Sequence, residues 1–405
     1  MLKKVFFFSL LTLVSCQKSD DEPLSPADEL ELAELEASLE SFQWNLFQQV
    51  VASEDTTANL NISPLSIAAA LYMAHEGAEA ETRDKISSTL ELPTAGLTIN
   101  LGAAYENMMK ELENSSSLHT ENAIFWDKNR MDPNDAFLNY TSDHFQAKQF
   151  DLEFQDPSAL EAINDWVKSS TNDRIEKIID QINSEEIMFL INALYFKDDW
   201  IYPFPEESTR KVKFTLASGS EVEADMMFQD INTLKYYHGD DFSSVEMPFA
   251  DTSYSMVLLL PRPGSNPDQL ISELDDNRLS QLFEQDMEIG RIYLDVPRFE
   301  IEYKILLNDV LKDMGMELAF DPFNADFSNL GVAPEGNLYI SRVNHKTFLK
   351  IDEKGAEGAA VTSVGVGVTS APPPLRFDRP FVFLLRNRNT KTLVFAGKIE
   401  DPTVR

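Results

Sequence analysis

The stretch GAEGAAVTSVGVGVTSAPPP, residues 355–374, decides which fold the rest of this chain is expected to adopt. Glu357 is its only charged residue, and three prolines end it. Segments typical of strands flank it on both sides, HKTFLKIDEK at 345–354 and LRFDRPFVFLLR at 375–386. The stretch is therefore either a flexible linker or a strand that is held outside a sheet.

The side chains of this stretch alternate with the period of two that a β-strand has. One face carries small residues and then valines, namely Ala356, Gly358, Ala360, Thr362, Val364, Val366 and Val368. The other face is more mixed and consists of Glu357, Ala359, Val361, Ser363, Gly365, Gly367 and Thr369. No proline removes a ladder donor before Pro372, but a permanently buried strand would rarely hold so many glycines. The pattern favours an exposed segment that later enters a sheet, and a surface loop with chance alternation is the alternative.

The composition argues against nucleic acids as partners. The 405 residues include 68 acidic and 34 basic ones, which gives a net charge of −34. Nucleic acids are poor partners for so negative a surface, and basic proteins suit it better. At 43% hydrophobic residues, the chain can bury a sizeable core.

The first sixteen residues, MLKKVFFFSLLTLVSC, have the pattern of an export signal. Two lysines precede an apolar run at residues 5–14, which is too short to span a bilayer. The tail LVSC resembles a bacterial lipobox, so we expect a lipoprotein signal peptide at residues 1–15 and lipidation of Cys16. Cys16 is the only cysteine, which excludes an intrachain disulfide. A plain secretory signal with an incidental cysteine is the alternative.

Residues 16–37 are polar and acidic, and we expect them to form a flexible tether. The acidic SDDE at 19–22 is similar to a surface-export signal of some bacterial lipoproteins. The expected location is therefore a bacterial membrane to which the exported protein is lipid-anchored, facing either the periplasm or the cell exterior.

The rest of the chain shows no linker or repeat and is expected to form one domain, residues 38–405. Helical spacing is found in SFQWNLFQQVVA (41–52), SPLSIAAALYMAHEGA (63–78) and DPSALEAINDWVKSSTNDRIEKII (156–179). Strand patterns are found in EIMFLINALYF (186–196), YSMVLLLPRP (254–263), GRIYLDVPRFEIE (290–302) and RPFVFLLRNRNTKTLVFAGKI (379–399). A hairpin is expected to turn at Ser218-Gly219. Helices followed by strands, without a boundary between them, predict an α+β fold.

No pattern in the chain indicates catalysis. The five histidines are scattered without metal-ligand spacing, and no GxSxG motif is present. GVGVTS at 365–370 is superficially like a dinucleotide-binding loop, but prolines follow it where a helix is needed. We therefore expect neither an enzyme, nor a cofactor, nor a metal site.

Stretches spread over the whole domain resemble the serpin family and follow one another in the family's order. They are NLNISPLSIAAALYMAHEGAEAETRDKI (59–86), INDWVKSSTNDRIEKII (163–179), LINALYFKDDWIYPF (190–204), MVLLLPRP (256–263), DVPRFEIE (295–302), MGMELAFDPFNADFS (314–328), VNHKTFLKIDEKGAEGAA (343–360) and RPFVFLLRNRNTKTLVFAGKIEDP (379–402). The resemblance implies a single-domain serpin fold with a large central β-sheet and about eight or nine helices. It also implies an exposed reactive-centre loop at about residues 354–376, and a monomer.

The function that the resemblance implies is suicide inhibition of a protease. The protease cleaves the loop and forms an acyl-enzyme, and the cut loop then inserts into the central sheet before hydrolysis is complete. An inserting strand must present small, uncharged side chains to a closing gap, and the face that begins with Ala356 does so. A serpin-fold protein that binds without inhibiting is the alternative from another functional class.

Individual site residues carry over from the resemblance. The loop hinge is expected to consist of Glu353, Gly355, Ala356, Glu357, Gly358, Ala359, Ala360 and Thr362. The sheet-opening region is expected to contain Ser63, Ser66, Asn192, Trp200, Arg298 and His345. In the second group, Ser63, Ser66, Asn192 and His345 match a polar cluster under the sheet. Trp200 matches an aromatic residue at its top, and Arg298 pairs with Glu353 at the base of the loop.

The cleaved bond is expected at Thr369-Ser370, counted from Gly355 at the usual family loop length. Val366 and Val368 are the alternative residues before the cut, and all of these are small or β-branched. Elastase-like serine proteases are therefore the expected targets, with papain-like cysteine proteases as the alternative. No glycosaminoglycan is expected as an activator, because INLGAAYENMMKELENSSS (99–117) contains no basic cluster.

Overall fold

The computed structural model describes residues 24–93, 99–357 and 374–405, in which nine α-helices and 18 β-strands form. The helices are α1 (Pro26–Ser53), α2 (Pro64–Gly77), α3 (Ala80–Thr89), α4 (Leu101–Leu112), α5 (Asp135–Phe145), α6 (Pro157–Ser170), α7 (Pro267–Glu273), α8 (Asp276–Gln281) and α9 (Asn308–Leu311). The strands of the first half are β1 (Leu60–Ile62), β2 (Leu118–Asp127), β3 (Asp132–Pro133), β4 (Lys148–Leu152), β5 (Met188–Phe196) and β6 (Asp198–Asp199). Those of the second half are β7 (Arg210–Thr215), β8 (Glu221–His238), β9 (Phe242–Pro248), β10 (Tyr254–Pro261), β11 (Glu288–Pro297), β12 (Phe299–Leu306), β13 (Gly331–Val332), β14 (Asn344–Ile351), β15 (Gly355–Ala356), β16 (Pro374–Arg376), β17 (Phe381–Asn387) and β18 (Leu393–Ile399).

The first helix begins earlier than the sequence suggested. Ser25 caps α1 by accepting a hydrogen bond from the Asp28 backbone N–H at 3.2 Å, and Pro26 occupies the first turn. Leu35 and Leu39, one turn apart, are both fully buried. Residues 26–37, expected to belong to a flexible tether, are therefore helical, because good helix formers there carry an apolar stripe.

A nine-stranded sheet forms much of the core. Its order is β1-β18-β17-β10-β9-β8-β11-β16, and β7 pairs with β8. All pairs are antiparallel except β11 with β16, so the sheet is mixed. Every residue of β17 and β18 is buried. The hairpin between β7 and β8 turns at Gly219, whose φ of +82° glycine adopts without strain, as predicted.

Two smaller ladders face each other across a space that no strand of the described residues fills. One has the order β4-β2-β5, and the other has the order β12-β14-β15-β6. In the part of the chain that the structure describes, β5 pairs only with β2, and β14 pairs with β12 along its whole length but with β15 only at Ile351. The edges of β5 and β14 that face this space are therefore almost free of ladder partners. We call the space between β5 and β14 the strand gap.

Helices cover both faces of the strand gap. Helix α2 packs between β18 of the large sheet and β5, and α6 packs against β2 and β5 from the other side. The helix predicted to run through residue 179 ends at Ser170, because Asn172 and Asp173 have left-handed φ angles of 50° and 63°. The following segment instead lies beside the gap, where the Asn164 side chain holds the backbone N–H of Ile178 at 2.9 Å.

The α+β prediction, with a large sheet and eight or nine helices, is confirmed for the described residues. No helix among them is both long and apolar enough to cross a membrane. The same residues contain no cluster of three or more histidine, cysteine, aspartate or glutamate side chains that could hold a metal ion.

Candidate functional site

The strand gap widens at its lower end into a cavity of about 170 Å³. One wall is the start of β5 and the residues before it, and the opposite wall is the segment 337–346, which leads into β14. Helix α2 forms the floor through residues such as Ile67 and Leu71, and Ile178 and Ile179 contribute from the α6 side. The lining combines apolar side chains with polar and charged ones, among them Glu186 and Arg342.

The upper end of the strand gap is already closed by the start of the loop. Gly355 lies opposite Asp199 of β6, and Ala356 lies opposite both Asp198 of β6 and Ile351 of β14. Ala356 has no solvent-exposed surface. The expectation that the loop is exposed from residue 354 is therefore wrong for Gly355 and Ala356, which form a short strand inside the sheet.

Glycine is required at the first of these two positions. The Asp352 backbone N–H donates to the Gly355 carbonyl at 3.1 Å, which makes a tight turn after β14. Gly355 has a φ of +156°, and a Cβ atom here would lie only 2.1 Å from the Asp198 carbonyl oxygen. A larger residue would separate the hinge from β6.

Glu357 ends this short strand and turns the chain out of it. Its φ of +56° is left-handed, which is costly for a residue other than glycine. The carboxylate lies 2.7 Å from the Arg174 guanidinium and accepts a 2.7 Å hydrogen bond from the Tyr195 hydroxyl. Burial, and then this hydrogen bond to Glu357, raise the pKa of Tyr195, which remains a donor. These contacts hold Glu357, whose side chain is only 6% exposed, at the mouth of the gap.

The predicted polar cluster is assembled beneath the strand gap. The Ser63 backbone N–H donates to Nε2 of His345 at 2.9 Å, and the Ser66 hydroxyl donates to the Asn192 carbonyl at 3.4 Å. Complete burial lowers the pKa of His345 to about 3, so its ring is neutral and can accept this bond. Asn192 also donates to the side-chain oxygen of Asn122 on β2 at 3.0 Å. The cluster links α2 to both strands that border the gap.

The residues predicted at the top of the sheet surround the hinge turn. Trp200 is 4% exposed and donates from its indole N–H to the Asp352 carbonyl at 3.0 Å. Arg298 forms an ion pair with Glu353, to which Thr209 also donates at 2.5 Å. Burial alone would raise the pKa of Glu353, but these two donors outweigh it and hold the pKa below its ordinary value.

Several predicted site residues lie outside the described residues. They are the hinge positions Gly358, Ala359, Ala360 and Thr362, the expected cleavage positions Val366, Val368, Thr369 and Ser370, and the lipidation site Cys16. The residues that sequence reasoning missed are Arg174 and Tyr195. Neither has a distinctive local pattern, and both reach Glu357 only through the fold.

The arrangement can accept one more strand. β6 and β14 are parallel to each other, since β15 is antiparallel to both, and β6 follows β5 after a single residue. A strand that continued from Ala356 into the gap would bond to both free edges at once, the mode of recognition known as β-strand addition. The described part of the site therefore offers two strand edges to an incoming strand.

The comparisons with known proteins agree with this geometry. The family model for serpin (serine protease inhibitor) matches residues 37–402, so the chain belongs to the serpin family. Antithrombin-III of Mus musculus is 30% identical to it over 385 residues, which cover 92% of this chain and 82% of the relative.

Two crystal structures of the thermophilic serpin tengpin are also similar to this chain. The native state is 31% identical with a TM-score of 0.83, and the match covers 95% of this chain and 96% of tengpin. The latent state is 30% identical with a TM-score of 0.78, and the match covers 93% and 98% of the two chains. The fold described here is therefore more similar to the native than to the latent state of tengpin.

Proposed function

We propose that this protein is a suicide inhibitor of serine endopeptidases, with elastase-like enzymes as its targets. The protease serine Oγ attacks the carbonyl carbon of Thr369, the bond to Ser370 breaks, and the Ser370 amine leaves with a proton. An ester then joins Thr369 to the protease. The freed loop inserts into the strand gap before water reaches this ester, and the attached protease is displaced and distorted. The inhibitor supplies no catalytic group and needs no cofactor.

The observation that carries the proposal is the position of the hinge. Gly355 pairs with β6 and Ala356 pairs with both β6 and β14 at the top of the strand gap, while the edges below them have no partner among the described residues. Free edges in a sheet are a liability that proteins ordinarily cover. A gap with two free edges and a started strand is explained by a strand that is added later.

The register of the started strand fits the loop sequence. Ala356 lies opposite Asp198 and Ile351, and antiparallel pairing continued from there brings Thr362 opposite both Asn192 and His345. Val364, Val366 and Val368 then fall beside the cavity at the lower end, where apolar residues such as Met188, Leu190 and Val343 form part of the lining. The small residues of this loop face enter the strand gap first, and the valines reach the cavity last, in the order in which they follow one another along the sequence.

The elastase-like specificity is supported by the loop sequence. Residues 355–375 contain neither lysine nor arginine nor an aromatic residue, so trypsin-like and chymotrypsin-like enzymes lack a suitable residue before the cut. Val, Ala or Thr at that position suits the small specificity pocket of an elastase. Papain-like cysteine proteases are the second candidate, because such an enzyme would recognise Val366 or Val368 one residue before the cleaved residue.

The test mixes the purified protein with an elastase and separates the products by denaturing electrophoresis. We expect a band that survives denaturation near the summed mass of the two proteins. Mass spectrometry should find a released C-terminal peptide that begins at or near Ser370. Clean cleavage without such a band, with the elastase still active, would instead indicate a substrate or a serpin-fold binding protein. In that case the same assay with papain decides between the two candidate protease classes.

We also propose that the protein is exported and attached to a bacterial membrane through a lipid on Cys16. The support is the lipobox-like LVSC after a short apolar run. Cells that express the protein should incorporate labelled palmitate into it, and Cys16→Ser should abolish both the label and the membrane association. Equal labelling of the variant would disprove the assignment.

A further inference from the structure

An ion pair closes the lower end of the strand gap. Glu186 lies just before β5, and Arg342 lies just before β14, so each residue belongs to a different side of the gap. The guanidinium donates through Nη2 to the Glu186 carboxylate at 2.9 Å, and its Nε contacts the second carboxylate oxygen. The hydrogen bond from Nη2 joins two charged groups, and charge-assisted hydrogen bonds are stronger than neutral ones.

The surroundings of this pair make it hard to open. The Glu186 side chain is 1% exposed and that of Arg342 is 18% exposed, so solvent screens their attraction little. Arg342 also donates to the Gln181 carbonyl at 2.5 Å, and the Asn183 backbone N–H donates to Glu186 at 2.6 Å. Burial raises the pKa of Glu186, and the hydrogen bond from Asn183 and the charge of Arg342 only partly offset this.

The ion pair between Glu186 and Arg342 lies across the path that the loop would follow into the strand gap. In the register that Ala356 sets, Gly365 would pass opposite both Phe189 and Arg342, and Val368 would come level with Glu186. Neighbouring strands lie about 4.8 Å apart, so a strand between two edges needs them about twice that distance from each other. Direct contact between Glu186 and Arg342 cannot be expected to persist at that separation without rearrangement.

We propose that Glu186 and Arg342 are positioning residues for the inhibitory reaction, which hold the lower strand gap closed and resist the last part of loop insertion. The proposal rests on the proposed function, since it assigns the pair to the same conformational step. Insertion as far as Val364 does not cross the pair, so the pair acts late. It thereby influences whether the acyl-enzyme is trapped or hydrolysed, but not how fast the protease first binds.

The test uses a synthetic peptide with the sequence of residues 357–370, EGAAVTSVGVGVTS, added to the intact protein. Formation of a one-to-one complex is followed by native electrophoresis and mass spectrometry. Glu186→Gln removes the charge of the side chain and keeps its shape. We expect the peptide to anneal to this variant about tenfold faster than to the wild type, a change in the barrier smaller than the energy of one charge-assisted hydrogen bond. Glu302→Gln is the matched control, because Glu302 pairs with Lys346 between β12 and β14 and does not span the gap.

A charge-swapped variant keeps the test independent of any loss of folding. Glu186→Arg combined with Arg342→Glu restores an ion pair, and its annealing rate should return to within about threefold of the wild type. An annealing rate for Glu186→Gln equal to or below that of the wild type would overturn the proposal. Failure of the peptide to anneal to any of the proteins would also overturn it, because the pair would then oppose no insertion.

Inhibition provides a second readout that separates this proposal from the proposed function. With an elastase that forms the covalent complex, Glu186→Gln should lower the moles of protein consumed per mole of protease and leave the association rate constant unchanged. A changed association rate with unchanged consumption would contradict a late role. If no protease is inhibited but the variant still anneals faster, the ion pair keeps its role and the proposed function fails.

Discussion

The neutral His345 beneath the strand gap predicts a specific dependence of stability on pH. Its pKa in the folded protein is about 3, against an ordinary value of 6.5. Below pH 6.5 the unfolded chain takes up a proton on this residue and the folded protein does not, so the free energy of unfolding falls as the pH falls toward 3. Below pH 6.5, His345 lowers the free energy of unfolding by about 1.4 kcal/mol per pH unit. Between pH 7 and pH 5 it therefore lowers the free energy of unfolding by about 2 kcal/mol.

The perturbation that isolates this effect is His345→Gln. A glutamine amide oxygen can accept the hydrogen bond from the Ser63 N–H but does not titrate. The carboxyls of Glu36 and Glu400, whose pKa burial raises to about 7, titrate in the same range in both proteins and cancel in the comparison. His238→Gln is the control, because His238 is exposed.

The assay is urea-induced unfolding at pH 7 and at pH 5. Between the two pH values, the free energy of unfolding of the wild type and of His238→Gln should fall by about 2 kcal/mol more than that of His345→Gln. Equal losses in all three proteins would refute a neutral, buried imidazole in the polar cluster, and with it the link that we describe between α2 and β14.

Two further substitutions test the hinge. Ala356→Arg places a charge at a position without exposed surface, so elastase should cleave the variant as a substrate, and the protein consumed per mole of protease should rise more than about tenfold. The control is Ser218→Arg, in the exposed turn between β7 and β8, which should inhibit elastase like the wild type. If the Ala356→Arg variant also inhibited like the wild type, the loop face that begins with Ala356 would not be buried during inhibition. Trp200→Phe removes the donor to the Asp352 carbonyl and should lower the free energy of unfolding by about 1 kcal/mol more than Trp166→Phe. The Trp166 indole N–H has no hydrogen-bond partner among the described residues, so an equal loss would mean that the bond to Asp352 does not stabilise the hinge turn.

The local patterns predicted α1, α2 and α6 and long strands such as β5, β10, β17 and β18, because helix and strand periodicity depend on nearby residues. The overlong helix after Ser170 shows the limit of that reasoning. Residues 171–179 keep a helical spacing, but Asn172 and Asp173 adopt left-handed conformations and Asn164 captures the backbone beyond them. A side chain that competes for backbone donors across a turn leaves no signature in the spacing of apolar residues.

The site was predictable where a resemblance to a family could supply contacts between distant residues. The structure brings His345 into contact with Ser63 and Glu353 into contact with Arg298, residues that the resemblance had grouped. The contact of Arg174 with Glu357 is not signalled by either residue, since it depends on where α6 ends and on how the hinge leaves the sheet. The pairing of Ala356 inside the sheet is likewise a property of the strand gap rather than of the loop sequence.

Amide hydrogen exchange of the protein before and after cleavage of its loop shows whether the loop enters the strand gap. In the intact protein, the free edges of β5 and β14 below the hinge should exchange faster than their paired neighbours. After cleavage by catalytic amounts of elastase, we expect strong new protection along Met188–Phe196 and Asn344–Ile351, because the inserted strand then bonds to both edges. Unchanged exchange of both strands in the cleaved protein would contradict loop insertion into this gap.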